Sequence, residues 1–385
     1  MEQPQSFHPA SPLLNHCEPG LPAAAYYDAA WFEGEQKRIW ARTWVYVGRA
    51  NDLEPMTLRR VSVAGENLIL VKDRDGIIRG FHNTCRHRGA ELCSAPERKL
   101  KSRLIACPYH QWTYALSGEL VGTPFASVTD DFDKSAHGLF SVNVRQWNGF
   151  VFVCLADDPP DFAEVPDLGL AIYDNWPMAD LVTGHTVTTE IACNWKIFWD
   201  NFNECLHCPG IHKELCDFVP VYGQGIMGHE EAADWTPETP VPAHSLKPGA
   251  RTWTKTGQPC GPEFPGLTQA ERDAGYHFVT LLPSMFIVAH VDYVRAVSLT
   301  PLGPERTELK AEWLFACGSL NAPDFDLRNV VDFASTVLRE DAEACEMNQR
   351  GLRSSKFRHG TLVPQEYAIY KFHQWVRRHL EEPHS

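Results

Sequence analysis

The stretches "CRHRG", residues 85–89, and "CPYH", residues 107–110, decide how this chain is read. Together they run C-x-H, nineteen residues, then C-x-x-H. Each closes a β-rich run, "IIRGFHN" or "RLIACPYH", so two loops can aim one cysteine and one histidine apiece at a common centre. Four such ligands suit a Cys2His2 zinc site. Zinc fingers, however, pair cysteine with cysteine and histidine with histidine, and here both loops are mixed. A two-iron cluster with two thiolates on one iron and two imidazoles on the other is met directly by mixed loops.

Outward from these loops, "WVYVGRA", "RRVSVAG", "NLILVKD", "LFSVNVRQ" and "GFVFVCLA" are further short β-rich runs, with "DRDG" and "LSGE" as turns. We read residues 44–157 as one compact all-β domain. The acidic, proline-rich "ADDPPDFAEVPDLG", residues 156–169, marks its end. Residues 1–43 form an arm and a helix, with Trp31, Phe32, Ile39 and Trp40 at helical spacing, expected to pack on the second domain. Over 158–385 the runs "GHTVTTEIAC", "HFVTLLPS", "MFIVAHV", "YVRAVSLTPL" and "RTELKAEWLFA" predict an antiparallel sheet, and helices are expected near 323–350 and 364–380. The fold class is α+β.

The 385 residues carry a net charge of -14, which disfavours nucleic acid or an anionic membrane as the main partner. The N-terminus lacks a basic start followed by an apolar run, and no apolar stretch is long enough to span a bilayer. A cytoplasmic setting follows, in which the twelve cysteines read as free thiols or metal ligands.

A second constellation is "NFNECLHCPGIH", residues 201–212. Its C-x-x-C could be a thiol redox site, but the βαβ setting that such a site needs is absent. Its cysteines and histidines could hold zinc. Or Glu204, His207 and His212 are the polar set that matters, with Cys205 and Cys208 as packing. "NWKIFWDNFNECLH" reads as helix, with Glu204 and His207 at i, i+3, and Pro209-Gly210 breaks it so that His212 can turn back. A non-haem iron site needs a carboxylate as well. In "FDLRNVVDFASTVLREDAEACEMNQRGL" the residues Leu327, Val330, Val331, Ala334, Val337, Leu338 and Cys345 share one helical face, and Asp341 falls inside it. Asp332, Glu340, Glu343 and Glu346 fall outside and read as solvated charges. A carboxylate on an apolar face needs a partner, a metal or a salt bridge.

In this order, the mixed Cys/His loops, Glu-x-x-His-x4-His and a late "RED" resemble the α subunits of Rieske non-haem iron oxygenases over residues 30–380. The resemblance implies an N-terminal Rieske [2Fe–2S] domain and a C-terminal helix-grip catalytic domain. It implies that Cys85 and Cys107 bind one iron of the cluster and His87 and His110 the other, with Arg88, Gly89, Pro108, Tyr109 and Trp112 shaping the surroundings. It carries mononuclear Fe(II) onto His207, His212 and Asp341, and a role near that iron onto Asn201. Many members have aspartate at the position of Glu204. There it bridges a cluster histidine of one subunit to an iron-bound histidine of its neighbour, in a trimer. Here the route would run from His110 of one chain through Glu204 to His207 of the next. The stretch is similar to the branch with carnitine monooxygenase and stachydrine demethylase, whose substrates carry an alkylated nitrogen.

"GQGIMG" gives Gly223, Gly225 and Gly228 in a formal G-x-G-x-x-G, but no strand–turn–helix surrounds it. NAD(P)H electrons are therefore expected through a separate reductase, with or without a ferredoxin. The expected activity is O2-dependent monooxygenation of a small molecule, oxidative N-dealkylation (N-demethylation) or hydroxylation. Ring cis-dihydroxylation and O-demethylation are the alternatives, and an electron-transfer protein without oxygenase activity is the alternative class. Candidate pocket walls are Phe218, Tyr276, Phe278, Leu282, Phe286, His290 and Tyr293, each equally explicable as core. Tyr293 beside Asp292 hints at a cationic substrate.

Overall fold

The computed structural model describes residues 7–162, 170–240, 242 and 244–381. Residues 1–6 of the expected arm and 163–169 of the expected boundary stretch lie outside them. Contacts divide the chain into two compact units, Gln36–Asp167, and Met1–Glu35 with Leu168–Ser385.

In the first unit a seven-stranded antiparallel sheet runs in the order Val45–Arg49, Phe150–Cys154, Ser141–Trp147, Ile78–His82, Glu66–Lys72, Thr57–Val63, Glu97–Lys99. A three-stranded sheet holds Leu104–Ala106, Thr113–Ala115 and Leu120–Gly122. The three-residue strands 97–99, 113–115 and 120–122 have no place in the sequence reading, because a run that short carries no alternation to detect. Apolar alternation buries Leu58, Ile69, Val71 and Phe81 in one cluster with Cys85, Cys107, Trp112 and Tyr114. Both cysteine loops thus stand on the core.

The second unit is built on a five-stranded antiparallel sheet, Val182–Ile191, Arg306–Phe315, Tyr293–Gly303, Met285–His290, Tyr276–Leu281. A helix of 26 residues, Leu327–Leu352, packs with it and with the helix Trp195–Phe202. Asp326 caps the long helix at its N-terminus by accepting from the Arg328 amide. The arm belongs to this unit only as far as Glu35; residues 36–43, expected to pack here too, fall in the first unit, a correction of the 1–43 boundary. Glu18–Pro22 pairs with His359–Leu362, and the helix Ala29–Glu35 delivers Glu35. That carboxylate accepts from Lys196 Nζ at 2.5 Å and from Trp195 Nε1 at 2.8 Å. Glu35 and Lys196 are wholly buried, so the arm fixes the first turn of the helix that leads into residues 201–212.

Candidate metal centres

In the first unit the two loops are built alike. Gly89 (φ +75°) donates its amide to Cys85 O at 2.9 Å, and Gln111 (φ +60°) donates to Cys107 O at 3.1 Å. Each cysteine is therefore the first residue of a turn closed four residues later in the left-handed region, where glycine costs least. Cys85 and Cys107 are buried at 2% and 1% exposure, while His87 and His110 lie towards the surface with ring centroids 4.7 Å apart. Trp112 stacks on His87 at 4.7 Å, and Tyr109 lies 3.6 Å from His110. Burial pushes the Cys85 thiol up, and the Tyr114 hydroxyl lies 3.2 Å from its sulfur. Two sulfurs inside and two imidazoles outside suit a cluster whose irons differ in ligand type.

In the second unit the helix Trp195–Phe202 is capped by Asn194, whose side chain accepts from the Lys196 amide. The helix stops at Phe202, before Glu204. The expectation of one helix from 194 to 207, broken at Pro209-Gly210, is corrected. The break comes at 203–207, and Pro209 sits in the first turn of a new short helix, Cys208–Ile211, where its missing N–H leaves no bond unmade. His212 stands between that helix and Lys213–Phe218 with φ -102° and ψ 68°. The irregular backbone turns both imidazoles inward.

Three donor atoms then converge. His207 Nε2 is 3.2 Å from His212 Nε2, His212 Nε2 is 2.9 Å from Asp341 Oδ1, and His207 Nε2 is 3.6 Å from Asp341 Oδ1. Among the described residues this is the one set of three His, Cys, Asp or Glu side chains whose donor atoms all lie within 4.8 Å. Metal–ligand bonds of ~2.1 Å at right angles put neighbouring donors ~3 Å apart, so the spacing suits a single ion. Two imidazoles and one carboxylate are the donor set of non-haem iron sites with open positions.

Each imidazole is oriented from its other nitrogen. His207 Nδ1 pairs with Glu204 Oε1 at 2.5 Å, and His212 Nδ1 with Glu340 Oε2 at 2.8 Å. With both Nδ1 positions held by carboxylates, both Nε2 atoms face the centre, where loss of a proton frees their lone pairs for a metal. Asn201 Nδ2 donates to Asp341 Oδ1 at 2.7 Å. Glu340, read from sequence as a solvated charge, is thus corrected. It flanks the apolar face at 26% side-chain exposure, where His212 meets it. Glu346 also has a partner, the Ala192 amide at 3.1 Å. Burial alone would raise Asp341, but His207 and His212 hold its carboxyl below the usual range. Burial alone would lower His207, yet Asp341 and Glu204 push it up to about 9.

Cys205 and Cys208 are joined as a disulfide, which corrects the reading of all twelve cysteines as free thiols or ligands. The turn in which the Cys208 amide donates to Cys205 O at 3.0 Å brings them together. Both stay in the apolar cluster with Leu215, Phe218, Val219 and Tyr222.

A cavity with about 80 Å³ of room for solvent inside it opens onto the triad. Its walls include Phe198, Phe202, Tyr222, Met227, Trp253, Phe278, Phe286, Val288, Arg295, Val337 and Leu338. Of the candidate walls read from sequence, Phe278 and Phe286 line it, and five do not. Tyr276 and His290 share the inward face of the sheet but lie at the end covered by Trp253, at ring distances of 4.7 and 5.4 Å. Tyr293 donates its hydroxyl to Trp253 O at 2.6 Å and stacks on His290. Phe218 packs on Phe333 at 4.9 Å. Leu282 lies between paired strands, in the turn before Pro283. Among the walls that the sequence reading does not name are Trp253, from an irregular segment without periodicity, and Arg295, a charge inside an apolar strand.

A β unit with two mixed Cys/His loops and an α+β unit with a two-histidine, one-carboxylate face define a redox enzyme with two metal centres. Comparison with known proteins places it further. Residues 178–382 match the ring hydroxylating alpha subunit (catalytic domain), and residues 43–133 match the Rieske [2Fe–2S] domain. The chain belongs to the ring-hydroxylating oxygenase α-subunit family. It is an oxidoreductase whose cofactors are a Rieske [2Fe–2S] cluster and a mononuclear iron. It is 30% identical to the glycine betaine monooxygenase oxygenase subunit of Chromohalobacter salexigens, over 92% of this chain and 84% of that one. It is 28% identical to the carnitine monooxygenase oxygenase subunit of Acinetobacter pittii, over 88% and 86%. A solved quaternary ammonium Rieske monooxygenase superposes with a TM-score of 0.74 at 22% identity, over 98% of this chain and 99% of that one, a likeness of fold. No helix among the described residues is long and apolar enough to cross a membrane.

Proposed function

We propose that this chain is the oxygenase component of a multicomponent system that removes a methyl group from a quaternary ammonium compound. The observation that carries the reading is the convergence of His207, His212 and Asp341 on an aromatic-walled cavity. In this reading those three side chains hold the mononuclear iron. Cys85 and Cys107 hold one iron of the cluster, and His87 and His110 the other. When bound, the two centres supply the redox chemistry with dioxygen.

The chain's own residues position and exclude. Phe198, Phe202, Tyr222, Trp253, Phe278 and Phe286 offer ring faces to a methylated cation, which needs no hydrogen bond and is attracted by π-systems. The same walls keep water from the reacting carbon. Asn201, Glu204 and Glu340 hold the three donors in place. Hydroxylation of an N-methyl carbon gives a hemiaminal, which collapses to formaldehyde and the demethylated amine. Glycine betaine and carnitine, named for the two relatives, both carry such methyl groups. Ring cis-dihydroxylation and O-demethylation would use the same iron face but give no role to a cation-binding wall.

The cluster domain is assigned to the first unit, which begins at Gln36, and the catalytic domain to the second, with the arm as far as Glu35. The electron route from His110 of one chain through Glu204 to His207 of the next implies a homotrimer. It is supported by the Glu204–His207 bond at 2.5 Å and by the similar structure's description with inter-subunit electron transfer. A separate reductase, with or without a ferredoxin, supplies the electrons. Ten unpaired cysteines support a cytoplasmic setting.

The test is a reconstituted system with a reductase, scored for formaldehyde on glycine betaine, carnitine and a neutral aromatic. Formaldehyde from the ammonium compounds supports the reading. A cis-diol from the aromatic with no formaldehyde overturns it.

A further inference from the structure

Arg295 is the one feature of the cavity that a purely aromatic cage leaves without a purpose. It stands in the centre of the sheet, opposite Val288 on one neighbouring strand and Trp313 on the other. Val288 in turn pairs with Phe278, so the register puts Phe278, Val288 and Arg295 side by side on the face that lines the cavity. Arg295 is only 4% exposed. Its Nε and Nη1 are buried with no hydrogen-bond partner among the described residues. Its guanidinium lies 5.9 Å from the Trp253 ring centroid, and no carboxylate among the described residues forms an ion pair with it. Asp341 is near enough to act on it electrostatically, but the Asp341 oxygen Oδ1 is taken by His212 and Asn201.

A guanidinium keeps its charge in a protein interior, and burying it without a partner is strongly unfavourable. Buried polar groups are nearly always paired, so an exception in the wall of a binding cavity points to a ligand. The ligand that satisfies a planar fork of N–H donors is a planar anion with two acceptor oxygens.

We propose that Arg295 is a specificity-determining residue that binds the carboxylate of the substrate, so that the enzyme takes zwitterions carrying both a quaternary ammonium and a carboxylate. This rests on the N-demethylation reading above for the cationic end, and on Arg295 alone for the anionic end. The aromatic walls take the methylated nitrogen, and Arg295 fixes the other end. An ammonium alcohol or a neutral amide of the same shape leaves the guanidinium unpaired.

The test is calorimetric binding to the oxidised, iron-loaded full chain without reductase, so that no turnover intervenes. Three probes separate the two ends: glycine betaine, its carboxamide, which keeps the ammonium alone, and 3,3-dimethylbutyrate, which keeps the carboxylate on the same skeleton. Glycine betaine is expected to bind at least about 10-fold more tightly than its carboxamide, from the loss of a charge-assisted pair. Arg295→Gln should weaken both carboxylates about 10- to 100-fold and leave the carboxamide within about 3-fold. Arg295→Lys, which keeps the charge but not the fork, should fall between. The wild-type comparison needs no variant, so a misfolded variant does not remove the test. Equal binding of betaine and carboxamide overturns the proposal. So does a carboxylate preference that survives in Arg295→Gln, as it would if the iron alone held the anion, and so does failure of all three probes to bind. A failure of the N-demethylation reading looks different: binding depends on Arg295 as described, but the reconstituted system releases no formaldehyde.

Discussion

Removing the Glu340 carboxylate should weaken iron binding without touching a ligand. Glu340 Oε2 accepts from His212 Nδ1 at 2.8 Å, and His212 is 1% exposed, so nothing else among the described residues holds that ring nitrogen. A hydrogen bond to a charged group contributes about 1.5–3 kcal/mol. At 26% exposure the Glu340 end is partly screened, which brings the figure to about 1–2 kcal/mol. That is about 5- to 30-fold in affinity, close to the range typical of groups that orient metal-bound histidines. Glu340→Ala should therefore bind Fe(II) about 5- to 30-fold more weakly, measured anaerobically by competition with a chelator. Glu340→Gln keeps an acceptor oxygen and should lie within about 3-fold of wild type. The visible spectrum of the Rieske cluster, in the other unit, should be unchanged in both. An alanine variant that binds iron as wild type does would refute the reasoning, as would a glutamine variant no better than alanine.

Other outcomes follow from the same geometry. In the iron-free protein His207 is raised to about 9, so its contribution to stability is fully present below about 6.5 and is lost as pH climbs through 9. Asp341 is depressed, so its contribution holds above about 3.8 and is lost as pH falls below. Iron-free protein should thus lose stability between pH 6.5 and 9 in denaturant titrations. Over that window Fe(II) should bind more tightly with rising pH and release protons. Replacing Glu35 by Leu strands the buried Lys196 charge and Trp195 Nε1. It should cost about 3–5 kcal/mol, with much of the loss recovered in the double variant with Lys196→Met, as read by chemical denaturation. Tyr114→Phe removes the hydroxyl 3.2 Å from the Cys85 sulfur. It should lower the cluster's one-electron midpoint potential by about 40 mV for each ~1 kcal/mol of hydrogen bond lost, measured by redox titration.

Features carried by period were legible in the sequence, and those made by tertiary contact were not. Asp341 stands four residues after Val337 and four before Cys345, both buried on the long helix, so its inward placement could be read from helical spacing alone. Glu340, one residue earlier, is rotated by about 100° to the flank of that face, and only the fold brings His212 to it. Strand alternation is consistent with Phe278 and Phe286 sharing the inward face. It could not say where the cavity ends along the strands, because Trp253, from an irregular segment, covers Tyr276 and His290. Arg295 was hidden for a different reason. A charge in an apolar strand contradicts the pattern, and such local conflict is where function is found. The helix expected over 194–207 ends at Phe202 because residues 203–207 lie outside regular structure, although Glu204 and His207 keep the i, i+3 spacing of a helix.

In the proposed reaction the His207–His212–Asp341 face, served by the cluster, oxidises an N-methyl group. A single turnover tests it most directly: iron-loaded protein with its cluster chemically reduced, glycine betaine or carnitine, dioxygen, and a measurement of formaldehyde. Wild type should release formaldehyde. None should come from His207→Ala, which is expected to lose the mononuclear iron while keeping the Rieske spectrum. Formaldehyde from that variant at the wild-type level, or none from the wild type with either compound, would contradict that reaction.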